Sequence, residues 1–539
     1  MERKNPKKSM AIPSGAHGVR AQEQKAASPA RKRPAGARRA DRNIYRSLGV
    51  EPIINCRGTF TIIGGSVERP EVLAAMEAAS GFFVQYDELA EAVGKRLAEI
   101  TGAEWGMIAA GCAAALKHVT IACVTGGNPE KLIRIPDLTG LAKTQVIIPG
   151  HSRNAYDHAV RNAGVEIVTV ETPKQLRQAI NPRTAMVYLN AGGASAHGQP
   201  LSLEVIAETA KPHGIPILVD AAAEDLTLPP VHLTRGATVV AYSGGKALCG
   251  PQCAGLLLGD KGILTSAWQA SSPHHGPGRD DKIGKEEIVG MLAAVEAWTR
   301  RDHAAEWRVW LSWLDIIGKR AVEVGGVATR VHEPTALSNR APVLTITWDP
   351  GALHITGEEV AEDFARNRPR VAVGSREVEG EASIAITPNQ MQPGDAQVVA
   401  DRVYRILSAK RSPRPTELRA AEVDISGHWD LTVRFPSSTS RHRLSMQQDG
   451  NWVEGVHHSD FSSQDLVGVV EGDQVKLRSE VRQPGDYVPF LFSGKASGDT
   501  LSGAIHLGEY LSATFTASRT RRRGPRTNIT IPGGPPLAT

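Results

Sequence analysis

Ala237-Thr238-Val239-Val240-Ala241-Tyr242-Ser243-Gly244-Gly245-Lys246 decides the fold: an apolar run breaks into two glycines and delivers one lysine at its end. A short run of this kind, closed by a turn former, reads as a buried strand. Upstream, Ile215-Pro216-Ile217-Leu218-Val219 is a second such run, and it ends in Asp220. Near-continuous apolar strands belong to parallel sheets covered on both faces, and ligands gather at the carboxyl ends of such strands. A carboxylate and a lysine at two strand ends are therefore placed to act on one bound group.

Outward from this pair, the apolar runs 106–110, 145–148, 165–170 and 185–189 alternate with helical stretches from about residue 44 onward. The expected fold class is α/β, a mostly parallel sheet with helices on both faces. After Lys285 the pattern becomes helical (286–325), then alternates at 342–348 and 384–386, and ends in a helix at 397–408, which fits a small α+β lobe. A linker rich in charge and proline begins at Lys410. From Ile425 to Arg519 short alternating strands are separated by Gly, Asn and Asp. There Val453-Glu454-Gly455, Leu466-Val467-Gly468 and Leu501-Ser502-Gly503 repeat a hydrophobe-x-Gly pattern, as hairpins coiling into an antiparallel β-barrel or sandwich do. The expected domains are a basic tail (1–43), a large domain (44–290), a small domain (291–409), a linker (410–424), a β-meander (425–519) and a second tail (520–539). His457-His458 lie on one strand and point to opposite faces, and both are read as surface residues.

The chain has 539 residues and a net charge of +5. Residues 1–43 carry twelve Lys or Arg against three acids, a net +9, which leaves −4 for the rest. A tail with so little apolar content does not fold by itself; weak contact with nucleic acid or anionic surfaces is conceivable for it, but an inert solvated tail is the favoured reading. No apolar stretch approaches the roughly 20 residues that span a bilayer, and no apolar segment follows the basic N-terminus, so the cytoplasm is the expected compartment and no membrane partner is expected. Five cysteines without zinc-ligand spacing read as reduced thiols, with Cys249 and Cys253 as small buried residues near the lysine turn. No metal site is expected.

The chemistry of the pair is specific. A buried lysine forms a Schiff base with an aldehyde cofactor, and a strand-end aspartate keeps a pyridine nitrogen protonated, which together are what pyridoxal 5'-phosphate requires. Gly111-Cys112-Ala113, small residues between a strand and a helix, offer free amides to a phosphate. Ser243 can add a hydroxyl, and His151, after the 145–148 strand, can stack on the cofactor ring. His158 is read as structural.

Residues 46–406 resemble the fold-type I pyridoxal phosphate enzymes of the selenocysteine synthase (SelA-like) group, and within it the D-glucosaminate-6-phosphate ammonia-lyase-like proteins. The resemblance is carried by Ser243-Gly244-Gly245-Lys246, Gly250-Pro251-Gln252 with Gly255, Asp220, the Asn55 to Gly65 segment, and Gly278 to Ile288. It implies that Arg279, Lys282 and Lys285 lie near the cofactor or substrate phosphate, that Arg376 holds the substrate carboxylate, and that the enzyme is a homodimer or higher homo-oligomer. The expected reaction is an α,β-elimination on a β-hydroxy amino acid or aminosugar acid, with Lys246 as base, giving a 2-keto acid and ammonia. β-Replacement, racemisation and transamination use the same cofactor, and a degenerate binding or scaffold protein is the alternative outside catalysis. The chain departs from the tRNA-using synthases in lacking their folded N-terminal domain, and from the group as a whole in its added β-module.

Overall fold

The computed structural model describes residues 43–378, 380–413 and 417–520, so both expected tails lie outside the described residues apart from their innermost positions. Residues 43–52 lie in a unit apart from the rest of the described chain. Its described part is a one-turn helix, Ile44–Ser47, whose first amides are accepted by the Asn43 side chain.

The second unit is built on a seven-stranded sheet. Its strands are β1 (Trp105–Ala109), β2 (Gln145–Pro149), β3 (Glu166–Val170), β4 (Thr184–Asn190), β5 (Ile217–Asp220), β6 (Val239–Ser243) and β7 (Gly255–Gly259). They lie in the order β1-β7-β6-β5-β4-β2-β3, and β7 alone runs antiparallel to its neighbours. Alternate residues feed two separate cores. Ile147, Val187, Val219 and Val240 face one layer of helices, and Ile148, Tyr188, Leu218 and Ala241 face the other. Helix α1 (Gly111–Thr125), buried along most of its length, lies on the second face directly after β1. The carboxyl ends of β1, β5 and β6 thus share one edge of the sheet.

β7 has no counterpart among the expected strands. Its Gly-Leu-Leu-Leu-Gly run can reverse direction because the chain between Gly244 and Ala254 closes on itself, through Gly244 N–H to Ala254 O and Gly250 N–H to Gly244 O, each 2.8 Å. Lys246 lies on that closed turn.

Helices α2 (Lys285–Arg300) and α3 (His303–Ala321) lead to a four-stranded antiparallel sheet of β8 (Val327–His332), β9 (Val343–Trp348), β10 (Gly374–Val378) and β11 (Glu381–Ile386), ordered β10-β11-β9-β8. Its core includes Leu344, Ile346, Phe364, Ile384 and Val403.

The C-terminal strands form a closed eight-stranded barrel, which resolves the choice between barrel and sandwich. They are β12 (Gly427–Arg434), β13 (Thr439–Asp449), β14 (Trp452–His458), β15 (Ser463–Glu471), β16 (Gln474–Gln483), β17 (Asp486–Ser497), β18 (Thr500–His506) and β19 (Ser512–Thr520). Closure rests on β19, an unexpected strand that pairs with both β12 and β18. Trp429, Leu444, Leu466, Phe492 and Phe515 fill the interior. The surface reading of His457 is corrected here: alternation sends His458 out and His457 in, where it is fully buried against Phe490 and Phe492. No described helix is long and apolar enough to cross a membrane.

Candidate active site

Asp220 ends β5 and is 4% exposed. A buried carboxylate needs donors, and three are present. Oδ1 accepts from the Ala222 amide at 3.0 Å and the Cys112 thiol at 3.6 Å, and Oδ2 accepts from the Tyr188 hydroxyl at 2.9 Å. Burial, and then the Asp220 charge, push the Tyr188 phenol and the Cys112 thiol well above their ordinary values, so both stay protonated donors at neutral pH. Lys246 acts on the Cys112 thiol in the opposite sense. Cys112, on the first turn of α1, therefore senses both the strand-end carboxylate and the lysine.

The start of α1 is built to leave its amides open. Ala110 supplies no side-chain cap, so the first amides point out of the helix unclaimed by any side chain. On β7, Gly255 lies against this corner: a Cβ there would stand 2.5 Å from the carbonyl carbon of Gly111 and 2.7 Å from the Cys112 nitrogen. The cup of small residues at Gly111, Cys112 and Ala113 is thus formed by backbone packed on backbone. Ser243, half-buried, ends β6 three residues before Lys246.

The segment after β2 makes two short 3-10 turns, Gly150–Ser152 and Ala155–Asp157. His151 is exposed there, and partial desolvation lowers its imidazole while Glu171 opposes the shift. Ser152 Oγ accepts from the Asn190 amide at the end of β4 (3.0 Å), and Asn154 Nδ2 donates to the Ser152 carbonyl at 3.2 Å. Tyr188 and Asn154 were not among the expected site residues. The signal for Tyr188 was a hydroxyl inside an otherwise apolar run, which must find a partner once buried.

Beside the lysine turn opens a cleft of about 1030 Å³, lined among others by Ala247, Asp225, Arg301, Arg340 and Asn389. Arg301 Nη1 donates to the Ala247 carbonyl at 2.9 Å. Burial raises Asp225 to about 6, against the pull of Arg340 and Arg301. Gln252 Oε1 and Asn389 Oδ1 are buried without a hydrogen-bond partner.

The remaining expected residues are not gathered with this group in the single chain. Arg279 bonds Ser272 Oγ (2.9 Å), Lys285 Nζ bonds Ala79 O (3.1 Å) and pairs with Glu286, and Lys282 is exposed. Arg376 is exposed on β10, an outer strand of the small sheet. His158 is exposed and bonds Asp486 of the barrel. All five cysteines are free, but Cys253 is exposed and Cys249 only half-buried, although Gly250, Pro251 and Ala254 around them are buried.

A donor-lined carboxylate, a lysine on the adjacent strand end and an uncapped helix start fit pyridoxal phosphate. The comparisons agree. The Cys/Met metabolism PLP-dependent enzyme family matches residues 86–278. D-Glucosaminate-6-phosphate ammonia lyase of Salmonella typhimurium (strain 14028s / SGSC 2262) is 32% identical over 303 residues, which are 54% of this chain and 79% of that protein. The 5'-C-glycyluridine monooxygenase-decarboxylase of a Streptomyces species is 28% identical over 67% of this chain and 92% of its own length. A solved structure of D-glucosaminate-6-phosphate ammonia-lyase superposes with a TM-score of 0.60 at 26% identity, over 68% of this chain and 98% of that one. About a third of this chain is left without a counterpart in that structure.

Proposed function

The chain belongs to the pyridoxal-phosphate-dependent family that includes D-glucosaminate-6-phosphate ammonia lyase, and on that basis we propose that it eliminates water from a 2-amino-3-hydroxy acid of the sugar-acid class and that a water then hydrolyses the resulting enamine, releasing a 2-keto acid and ammonia. The observation that carries the reading is the convergence of Asp220 and Lys246 on Cys112 at the first turn of α1.

Pyridoxal phosphate, when bound, supplies an electron sink for the charge left by removal of the α-proton. The residues that would hold it are Lys246 through its amine, Asp220 as partner of the ring nitrogen, and Gly111, Cys112, Ala113 and Ser243 for the phosphate. Tyr188, Cys112 and the Ala222 amide hold the Asp220 carboxylate in a fixed orientation, in which it would serve as the partner of the ring nitrogen. The Lys246 amine is the base for the α-proton. In the cleft, Asp225 gains and loses a proton near pH 6, which suits donation to a departing hydroxyl, while Arg301 and Arg340 suit an anionic substrate. His151 is proposed to stack on the cofactor ring, and Arg279, Lys282, Lys285 and Arg376 are proposed to serve phosphate or carboxylate once chains assemble.

The expected assembly is a homodimer or higher homo-oligomer. Phe60, Ile62, Leu73, Phe82 and Phe83 are large apolar side chains at least 47% exposed, close together in sequence, and a second copy is the proposed cover.

The test is direct: incubate the purified enzyme with D-glucosaminate 6-phosphate and a panel of 2-amino-3-hydroxy acids, and measure ammonia and keto acid. Equal release of both, lost in Lys246→Ala, supports the reading. Amine retained with inverted stereochemistry would move the protein to the racemases.

A further inference from the structure

The barrel plays no part in the reaction described above, yet one of its hairpins reaches the cofactor side of the sheet. At the turn between β16 and β17, three consecutive residues engage the segment that follows β2. Arg153 Nη2 donates to Pro484 O at 2.9 Å. Gly485, at φ +87°, lies so close that a Cβ would stand 2.9 Å from Asn154 O and 3.0 Å from Asp157 Oδ2. Asp486 accepts from Arg161 Nη2 and bonds His158 Nε2, each at 2.9 Å. Behind them Asp157, fully buried, accepts from Arg153 Nε and, at 2.8 Å, from Arg161 Nε. Both arginines therefore bridge a buried carboxylate and the barrel.

The segment they hold has little regular structure of its own, only two 3-10 turns, and such turns rely on outside contacts for a fixed conformation. It also carries the groups that reach the site. Asn154, against which Gly485 packs, donates through Nδ2 to the Ser152 carbonyl at 3.2 Å, and Ser152 Oγ accepts from the amide of Asn190, the residue paired with Asp220 across β4 and β5. Four contacts thus lead from the hairpin tip to the aspartate, and charge-assisted bonds at the hairpin give the first of them a defined geometry.

We propose that the Pro484-Gly485-Asp486 hairpin is a positioning element of the cofactor site: by fixing Arg153 and Arg161 it sets Asn154, and through Asn154 and Ser152 it holds the end of β4 in register beside Asp220. The hairpin touches neither cofactor nor substrate. The inference rests on the reading that Asp220 would be the partner of the pyridoxal phosphate ring nitrogen.

The experiment uses the full-length protein with Asp486→Ala, Gly485→Ala, Arg161→Ala and the double variant Asp486→Ala/Arg161→Ala. Pyridoxal phosphate affinity and the visible spectrum of the bound cofactor are read without substrate, and steady-state kinetics follow. Each single variant is expected to weaken cofactor binding about fivefold to twentyfold, shift the absorption maximum, and lower kcat with KM little changed. The double variant is expected to be no worse than the poorer single one, because the two residues act as a unit, and Asp486→Glu is expected to restore most of the loss. Wild-type affinity and spectrum in the single variants, or fully additive losses in the double one, would overturn the proposal. Should Gly485→Ala not fold, Asp486→Ala and Arg161→Ala decide the matter from opposite sides of the contact. A wild-type protein that binds pyridoxal phosphate but releases no ammonia overturns the lyase reading alone; one that binds none overturns both.

Discussion

Tyr188 Oη and Asp220 Oδ2 lie 2.9 Å apart, with the phenol fully buried and the carboxylate nearly so. The two residues come from adjacent strands in which Asn190 is paired with Asp220, so the register of β4 on β5 brings a hydroxyl two residues earlier to the carboxylate. A carboxylate that must stay charged in the interior depends on such donors.

Tyr188→Phe removes one of three donors to Asp220 and adds no bulk. A hydrogen bond to a buried charge contributes about 1.5 kcal/mol or more, so the variant is expected to lose about that much stability and roughly tenfold in kcat. Denaturant unfolding and steady-state kinetics check it, and an unchanged visible spectrum of the bound cofactor would contradict the role given to this bond.

Gly255→Ala sets a methyl group against the backbone of Gly111 and Cys112, where no flexible side chain can give way. Overpacking of this kind costs about 1–3 kcal/mol. The helix start must move off the strand, and pyridoxal phosphate affinity is expected to fall at least tenfold, measured by equilibrium dialysis.

Asp225 supplies a pH signature. As a proton donor it works in its acid form, present below about 6, so kcat is expected to decline as pH rises through that value. Asp225→Asn is expected to remove this limb and lower kcat about a hundredfold. A pH profile identical in wild type and variant would end the assignment.

Inside the barrel, His457 bonds His442 at 2.9 Å and Ser479 at 2.7 Å. Burial, then the neighbouring His442 and His458, lowers it to about 3. The unfolded chain binds a proton near pH 6.5 and the folded chain does not until about 3, so this residue's contribution is full above 6.5 and is lost as pH falls through that window, by about 1.4 kcal/mol per unit. Burial lowers His442 in the same direction, with Asp460 opposing. Urea unfolding between pH 7 and 5 is expected to show this slope, and His457→Gln to flatten it.

The sequence was most legible where burial is continuous. Apolar runs located β1 to β6 and with them Asp220 and Lys246, because most of the runs end at a small or polar residue. β7 escaped because its three leucines sit among the glycines of the lysine turn, and a short run there carries no period of its own. β19 escaped for the opposite reason: its inward residues Ala513, Phe515 and Ala517 are mostly small, so its alternation is faint. For His457 the alternation was read correctly, but which face is inside depends on barrel closure. Tyr188 and Asn154 depend on register and on contact across segments, and neither is encoded in local spacing. Arg279, Lys282, Lys285 and Arg376 came from the resemblance alone, and in the single chain they face solvent or nearby backbone and side chains.

The central claim is that Lys246 carries the cofactor. Reduction of the loaded enzyme with borohydride, followed by digestion and mass spectrometry, should find the pyridoxyl group on the peptide containing Lys246 and nowhere else. A pyridoxyl group on a different lysine, or on none in a protein that retains its cofactor through purification, would contradict the account.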